Sequence, residues 1–266
     1  MAVTTTAPRP TALVTGASGG IGFELAKLFA ADGYDLVLIA RTTSTLKAAA
    51  AELAKAKTDP SRGTIRTIAA DLSEPDAPQR IYDELATNQT AVDVLVNNAG
   101  FGDRAAFVEA DPAKIQGMIA TNVTALTQLT KLFLPGMVAR GQGKILNVAS
   151  IAAFLPGPLM AVYYATKAYV ASFSQALSNE LAGSGVTVTA LCPGPTDTGF
   201  ASAAAAAGKP LFKNADSAAR VARDGYRAMI SGKPLEIVGP RNKFGIWLLR
   251  FIPRRAQAKI ARRAQE

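Results

Sequence analysis

Short runs of aliphatic residues, alternating with helical patterns, constrain the fold of this chain more than any other feature. Six such runs stand out: TALVTG (11–16), DLVLIAR (35–41), TIRTIAADL (64–72), VDVLVNNAG (92–100), GKILNVAS (143–150) and VTVTALCPG (186–194). Strands this uniformly apolar have no wet face, so a sheet made of them must be covered on both sides. Helical patterns fill the intervals: GIGFELAKLFAADG closed by Gly33, STLKAAAAELAKAK with Ser44 as its cap, PQRIYDELATN, and longer stretches at 112–140 and 162–181. Strand-helix alternation with right-handed crossovers predicts an α/β fold: a single-domain, doubly wound parallel sheet, Rossmann-like, with helices on both faces. Ligands in such sheets bind at the carboxyl ends of the strands, near the point where strand order reverses.

The 266 residues divide into a flexible lead-in (1–10), a dinucleotide-binding and catalytic domain (11–240) with a substrate lid at 197–215, and a basic extension (241–266). The lead-in has neither the basic start nor the apolar run of a signal peptide. No apolar stretch approaches the roughly 18 residues that span a bilayer. A single cysteine, Cys192, cannot close an internal disulfide and reads as a small buried hydrophobe. The expectation is a soluble, cytoplasmic protein. Of the net charge of +9, the segment from Arg241 onward supplies +7, with eight Lys/Arg against Glu266 alone. The body is therefore near neutral, which argues against nucleic acid as a partner. The chain contains no histidine. That removes most hydrolase triads and zinc sites, predicts no metal, and leaves acid–base work to Tyr, Lys, Asp or Glu.

The turn after the first strand, TGASGGIG (15–22), places Gly16, Gly20 and Gly22 between strand and helix. Small residues there let the backbone approach a pyrophosphate, which the helix N-terminus attracts. The second strand ends Ala40–Arg41, where an NAD-preferring site usually has an acid. Arg41 suits a 2′-phosphate instead, helped by Ser18 or Thr42, so the expected cofactor is NADP(H).

Within AVYYATKAYV (161–170), Tyr163 lies four residues before Lys167 and Tyr164 three before it. Both spacings bring a phenol and an ammonium to one helix face, so helix geometry leaves both tyrosines open. A charge about 5 Å from a phenolate, at an effective dielectric of about 20, stabilises it by roughly 3 kcal/mol. That would move a phenol from near 10 toward about 8.

Taken together, TGASGGIG, NNAG (97–100), Asn122 in TNV, Ser150 in NVAS, Tyr163-x-x-x-Lys167 and Pro193–Gly194 resemble the short-chain dehydrogenase/reductase family in order and spacing. The resemblance runs from about Thr11 to Thr198. It implies that Tyr163 is the catalytic tyrosine and Tyr164 a packing neighbour. It also implies that Tyr163 gives its proton to the substrate oxygen as hydride passes from NADPH, with Ser150 hydrogen-bonding that oxygen. Lys167 would lower the tyrosine pKa and grip the nicotinamide ribose, and Asn122 would hold a water linking Lys167 to solvent. Cofactor contacts are implied for Gly16, Ser18, Gly20, Ile21, Gly22, Arg41, Asp71 and Leu72 at the adenosine end, and for Asn98, Ala99 and Gly100 along the ribose and backbone. Pro193, Gly194, Thr196 and Thr198 would border the nicotinamide. Thr196 stands where the family often has Val.

The implied activity is interconversion of a hydrophobic ketone or aldehyde and its alcohol, with Phe101, Phe154, Leu155, Met160 and Phe200 as pocket walls. A non-catalytic NADP(H) sensor and a membrane-surface reductase of lipid-like substrates are the alternatives. The family likeness favours a homodimer or homotetramer through the helices at 112–140 and 162–181. For the tail, KFGIWLLRFIPRRAQAKIARRAQE, a helix packed on the domain or a neighbouring subunit with a solvated basic face is preferred over an element that meets anionic lipid.

Overall fold

The computed structural model describes residues 9–56, 63–200, 204 and 215–265. In chain order its strands are β1 (Thr11–Thr15), β2 (Asp35–Ala40), β3 (Ile65–Ala69), β4 (Val94–Asn97), β5 (Gly143–Val148), β6 (Val186–Cys192), β7 (Thr196–Asp197), β8 (Asp216–Ser217) and β9 (Leu235–Ile237). Seven of them form one parallel sheet in the order β3-β2-β1-β4-β5-β6-β9, while β7 and β8 pair separately. The order reverses between β1 and β4, which sets the ligand crevice above those two strands.

Residue alternation along the strands builds two cores. Ala12, Val14, Leu36, Leu38, Val94 and Val96 face α1 (Gly20–Ala31), α2 (Thr43–Ala56) and, later in the chain, the helix Ala218–Ile230. Leu13, Val37, Ile39, Leu95 and Ile145 face the opposite layer, built from α3 (Ala77–Thr87), α5 (Leu126–Ala139) and the end of α6 (Ala161–Glu180). This is the doubly wound arrangement the apolar runs demand: each face of every central strand meets a helix. The remaining helices are α4 (Pro112–Ile119), α7 (Ala218–Ile230), α8 (Pro240–Leu249) and α9 (Arg254–Gln265). Among the described residues no helix is long and apolar enough to cross a membrane.

The structure departs from the sequence reading at three places. A seventh strand, β9, joins the sheet edge through three residues held between Pro234 and Gly239, too short a run to show periodicity. Helix α2 begins at Thr43, so Ser44 is its second residue and does not cap it. The pattern at 112–140 is interrupted by a π turn, Ala120–Ala125, which joins α4 to α5. Gly33 does close α1, in the left-handed region at φ +81°. Finally, most of the expected lid at 197–215 lies outside the described residues.

Candidate active site

Every strand end at the crevice carries a residue singled out above. Gly16 and Gly20 follow β1 with φ of +64° and +55°, conformations that side chains rarely adopt. A Cβ on Gly22 would lie 2.4 Å from both the Gly16 carbonyl oxygen and the Asn98 amide, so the turn closes only with glycine there. Gly19, by contrast, has open space where a Cβ would be. The N-terminus of α1 has no side-chain cap and no acid in its first turn, leaving its N–H groups directed at that opening. Ser18 is exposed on the same turn and Ile21 half-buried behind it. A glycine cradle, an uncapped helix start and the cation of Arg41, exposed just past β2, fit a dinucleotide with an extra phosphate.

Asp71 and buried Leu72 follow β3. Burial works to raise the Asp71 carboxyl, but hydrogen bonds from the Ser73 N–H and hydroxyl at 2.9 and 2.7 Å, with Arg41 nearby, hold it below its ordinary value. After β4, the Asn98 side chain donates to the carbonyls of Thr15 at 2.9 Å and Gly16 at 3.2 Å. Its amide therefore braces the glycine turn. Thr15 completes that brace: its hydroxyl donates to Val96 O and accepts from the N–H groups of Asn98 and Ala99 at 2.9 and 3.0 Å. Sequence reasoning passed over Thr15, although a hydroxyl at the end of a buried apolar strand is itself a signal.

At the other end of the crevice, Ser150 follows β5 and Pro193 and Gly194 follow β6. The Ser150 hydroxyl accepts from the Ala152 N–H at 3.1 Å and lies 3.5 Å from the Pro193 carbonyl. The loop after β6 folds back over the nucleotide turn, since a Cβ on Gly20 would touch the Thr198 methyl at 3.0 Å. Buried Thr196 donates to the Gly194 carbonyl.

Helix α6 brings Tyr163 and Lys167 to the same buried face. The Lys167 ammonium lies 5.9 Å from the Tyr163 ring centre and donates to the Val148 carbonyl at 2.7 Å. Burial depresses Lys167 to about 8. Burial likewise dominates Tyr163 and raises its phenol, against the smaller lowering effect of a hydrogen bond with the Ser150 hydroxyl. This corrects the expected shift toward 8. Desolvation of the phenolate in the buried site sets the direction, and the Ser150 hydroxyl, not the lysine, supplies the opposing effect.

Asn122 reaches the site because the π turn rotates it inward, where it is 1% exposed. Its amide donates to Phe101 O at 2.9 Å and to the Thr166 hydroxyl at 3.1 Å, and its carbonyl accepts from the Phe101 N–H at 3.1 Å. Thr166 in turn donates to Tyr163 O at 2.7 Å, which ties Asn122 to the tyrosine's own turn of helix. A Cβ on Gly100 would lie 2.9 Å from Asn122 Oδ1 and 3.5 Å from Lys167 Nζ, so only glycine keeps that space open. Behind them, Asn97 donates to Thr130 and Asn147, and Asn147 donates to Ser174, a buried polar ladder the sequence reading did not foresee.

Of the expected pocket walls, Phe101, Met160 and Phe200 gather around Tyr163, with the Phe200 ring centre 5.2 Å from that of Tyr163. Phe154 does not join them and packs instead on Ala149, Val170 and Cys192, and Leu155 joins neither group. Cys192 is fully buried, and burial pushes its thiol up to about 12. Tyr164 lies flat over Gly157, where a Cβ would come within 2.2 Å of its ring.

A doubly wound parallel sheet with a glycine cradle at its switch point defines a Rossmann-like α/β protein. The chain belongs to the short-chain dehydrogenase/reductase family, whose short chain dehydrogenase model matches residues 10–208. It is similar to a short-chain dehydrogenase from Sphingobium yanoikuyae solved in complex with NADPH, with a TM-score of 0.80 and 31% identity over 94% of this chain and 98% of that one. The bulky-bulky ketone specific alcohol dehydrogenase from Comamonas testosteroni is similar at a TM-score of 0.76 and 28% identity, covering 91% of this chain and 92% of that one. A very-long-chain 3-oxoacyl-CoA reductase from Phaeosphaeria nodorum is 38% identical over 184 residues, which is 68% of this chain and 53% of that protein. This chain thus spans about half the length of such relatives.

Proposed function

We propose that this protein is an NADP(H)-dependent oxidoreductase that interconverts a bulky, hydrophobic ketone or aldehyde and its alcohol. The observation that carries the reading is the convergence of Ser150, Tyr163 and Lys167 beneath the apolar cluster of Phe101, Met160 and Phe200. The NADPH complex of the Sphingobium relative and the bulky-ketone and oxoacyl specificities named for the others point the same way.

Bound NADPH would supply hydride to the carbonyl carbon. Ser150 positions the carbonyl oxygen and stabilises the negative charge that develops on it. Tyr163 donates its proton to that oxygen, and in the oxidative direction its phenolate takes one back. The raised phenol stays protonated in the resting enzyme, the form that carbonyl reduction needs. Lys167, with one N–H committed to Val148 O, retains donors for a ribose hydroxyl. Asn122 acts first as a brace between the Phe101 loop and Thr166, with the remaining capacity of Oδ1 available to a water beside Lys167. Arg41, Ser18 and the α1 N-terminus hold the phosphates, and Asp71 and Leu72 border the adenine.

Assembly as a dimer or tetramer is supported by apolar side chains left facing water on the outer helices, among them Ile119 and Tyr169. A cytoplasmic setting suits a lone buried thiol. The test is a ketone, aldehyde and alcohol panel run in parallel with NADPH and NADH. Turnover of bulky substrates with NADPH supports the reading. Tight NADPH binding without turnover of any carbonyl would leave the sensor alternative in its place.

A further inference from the structure

Helix α8 and the turn after it direct four large apolar side chains outward. Phe244, Trp247, Leu248 and Phe251 are 63, 50, 44 and 69% exposed, and α8 has no buried residue. The three rings form one surface: Phe244 and Trp247 stack at 5.9 Å between centres, and Phe251 meets Trp247 edge-on at 5.1 Å. A contiguous apolar patch of this kind is unfavourable in water and marks a contact surface.

Cations bracket the patch. Arg241 and Lys243 precede it, Arg250, Arg254 and Arg255 follow, and α9 adds Lys259, Arg262 and Arg263, all exposed. Lys243 pairs with Glu236, while Arg241, Arg250, Arg254, Arg255, Lys259 and Arg263 have no ion pair among the described residues.

The arm that carries these groups is anchored to the domain. Gln257 and Ala261 are buried, and Gln257 donates to the carbonyls of Leu249 and Ile252 at 2.9 Å, which fixes α9 against α8. The end of α9 is tied by Arg104, which donates to Gln265 O at 3.1 Å.

We propose that α8 and the start of α9 dock this protein on a membrane surface that carries anionic phospholipid. Charge complementarity selects the occupant. A second copy would bring another strongly cationic arm against the first, and from Arg241 onward the only acid is Glu266. Nucleic acid would satisfy the cations but leave Leu248 and the outer ring faces without an apolar medium. A bilayer satisfies both: aromatic rings settle at the headgroup–acyl boundary while arginines remain with the phosphates. The contact is peripheral, made by the ring cluster and the cations that flank it. Docking does not depend on the catalytic reading. Because the arm ends beside Tyr164, it would also bring the mouth of the cleft toward an apolar substrate dissolved in the bilayer.

Trp247 is the only tryptophan in the chain, so its fluorescence reports the contact directly. The full chain is mixed with vesicles of phosphatidylcholine alone and of phosphatidylcholine with about one-third phosphatidylglycerol. The expected result is sedimentation with the anionic vesicles only, reversal by high salt, a blue shift of Trp247 emission, and quenching by bromine placed on the acyl chains. Phe244→Ser with Phe251→Ser, and separately Arg254→Gln with Arg255→Gln, should each weaken binding by roughly tenfold or more. Unchanged thermal melting would show that these exposed positions do not disturb the fold. No binding, equal binding to neutral vesicles, or binding without a Trp247 shift would each overturn the proposal. So would a dimer that buries Trp247 and dissociates in the Phe251→Ser variant, or displacement from vesicles by duplex DNA.

Discussion

The side-chain amide of Gln265 donates to the Tyr164 hydroxyl at 2.9 Å, joining the last turn of α9 to the helix that carries Tyr163. Gln265 is 1% exposed, and its Oε1 has no partner among the described residues. Tyr164→Phe would leave the buried Gln265 N–H without its acceptor and should cost about 1–2 kcal/mol of stability. Adding Gln265→Leu removes both ends of the bond together with the orphan oxygen, and should recover part of that loss. Chemical denaturation of the two single variants and the double variant measures the coupling. Strictly additive losses would mean that the bond does not form in solution.

Turnover separates the adjacent tyrosines. Tyr163→Phe removes the proton donor and should lower kcat by at least about a hundredfold, and Ser150→Ala by a similar order. Tyr164→Phe should change kcat by less than about threefold, because its hydroxyl is engaged by Gln265, outside the Ser150–Tyr163 pair. Steady-state oxidation of NADPH, with cofactor affinity measured separately, checks both. Equal losses from the two tyrosine substitutions would refute the assignment of Tyr163.

Arg41 tests the cofactor end. Its guanidinium follows Ala40 at the end of β2, where no carboxylate competes for a ribose hydroxyl. Loss of one charge-assisted phosphate contact is worth about 1.5–3 kcal/mol, so Arg41→Ala should raise the KM for NADPH by roughly ten- to a hundredfold. The KM for NADH should hardly change. A parallel rise for both cofactors would place Arg41 outside 2′-phosphate recognition.

Gly22→Ala asks whether the glycine turn is as tight as its contacts imply. The added methyl would meet the Gly16 carbonyl and the Asn98 amide at 2.4 Å, a backbone atom and a braced side chain that cannot both yield. A loss of about 1–3 kcal/mol is expected, as for other overpacked sites, together with a marked loss of dinucleotide affinity. Thermal melting with and without NADPH reads both effects, and an unchanged melt would show that the turn has slack.

Local pattern revealed those parts of the molecule whose cause is local. The parallel sheet was legible because each central strand needs two apolar faces, and the cofactor turn because glycines mark positive φ. That Tyr163, Lys167, Ser150 and Asn122 gather at one end of the sheet was legible through their register. Other features depend on contacts between distant segments. Nothing in residues 112–140 announces the π turn that swings Asn122 inward, since the extra residue is stabilised by Phe101 and Thr166. Nothing in the tail announces that Gln265 returns to Tyr164 across 101 residues. The sequence reading expected the tail's basic face to be solvated and its apolar side to be packed. In the structure the basic side chains of α9 are exposed, and the rings of Phe244, Trp247 and Phe251 also face outward. The Tyr163 shift was misread for the same reason: the Lys167 spacing is written in the chain, but burial of the phenol is a property of the assembled cluster.

Lys167 gives the fold a pH signature. Burial holds its folded-state pKa at about 8, below the ordinary 10.5 it regains on unfolding. Between those values the unfolded chain binds more protons than the folded one, so stability should rise with pH across that window. Below about pH 8 the folded protein carries the full cost of a buried ammonium, which the bond to the Val148 carbonyl only partly offsets. The raised phenol of Tyr163 acts oppositely, favouring unfolding once pH exceeds its ordinary value near 10. The measurement therefore belongs between about pH 8 and pH 10, as denaturant midpoints of the wild-type chain and of Lys167→Met. The wild type should gain stability over that interval, by no more than about 3 kcal/mol, while the variant stays comparatively flat. A wild-type curve parallel to that of Lys167→Met would mean that the ammonium is solvated in solution.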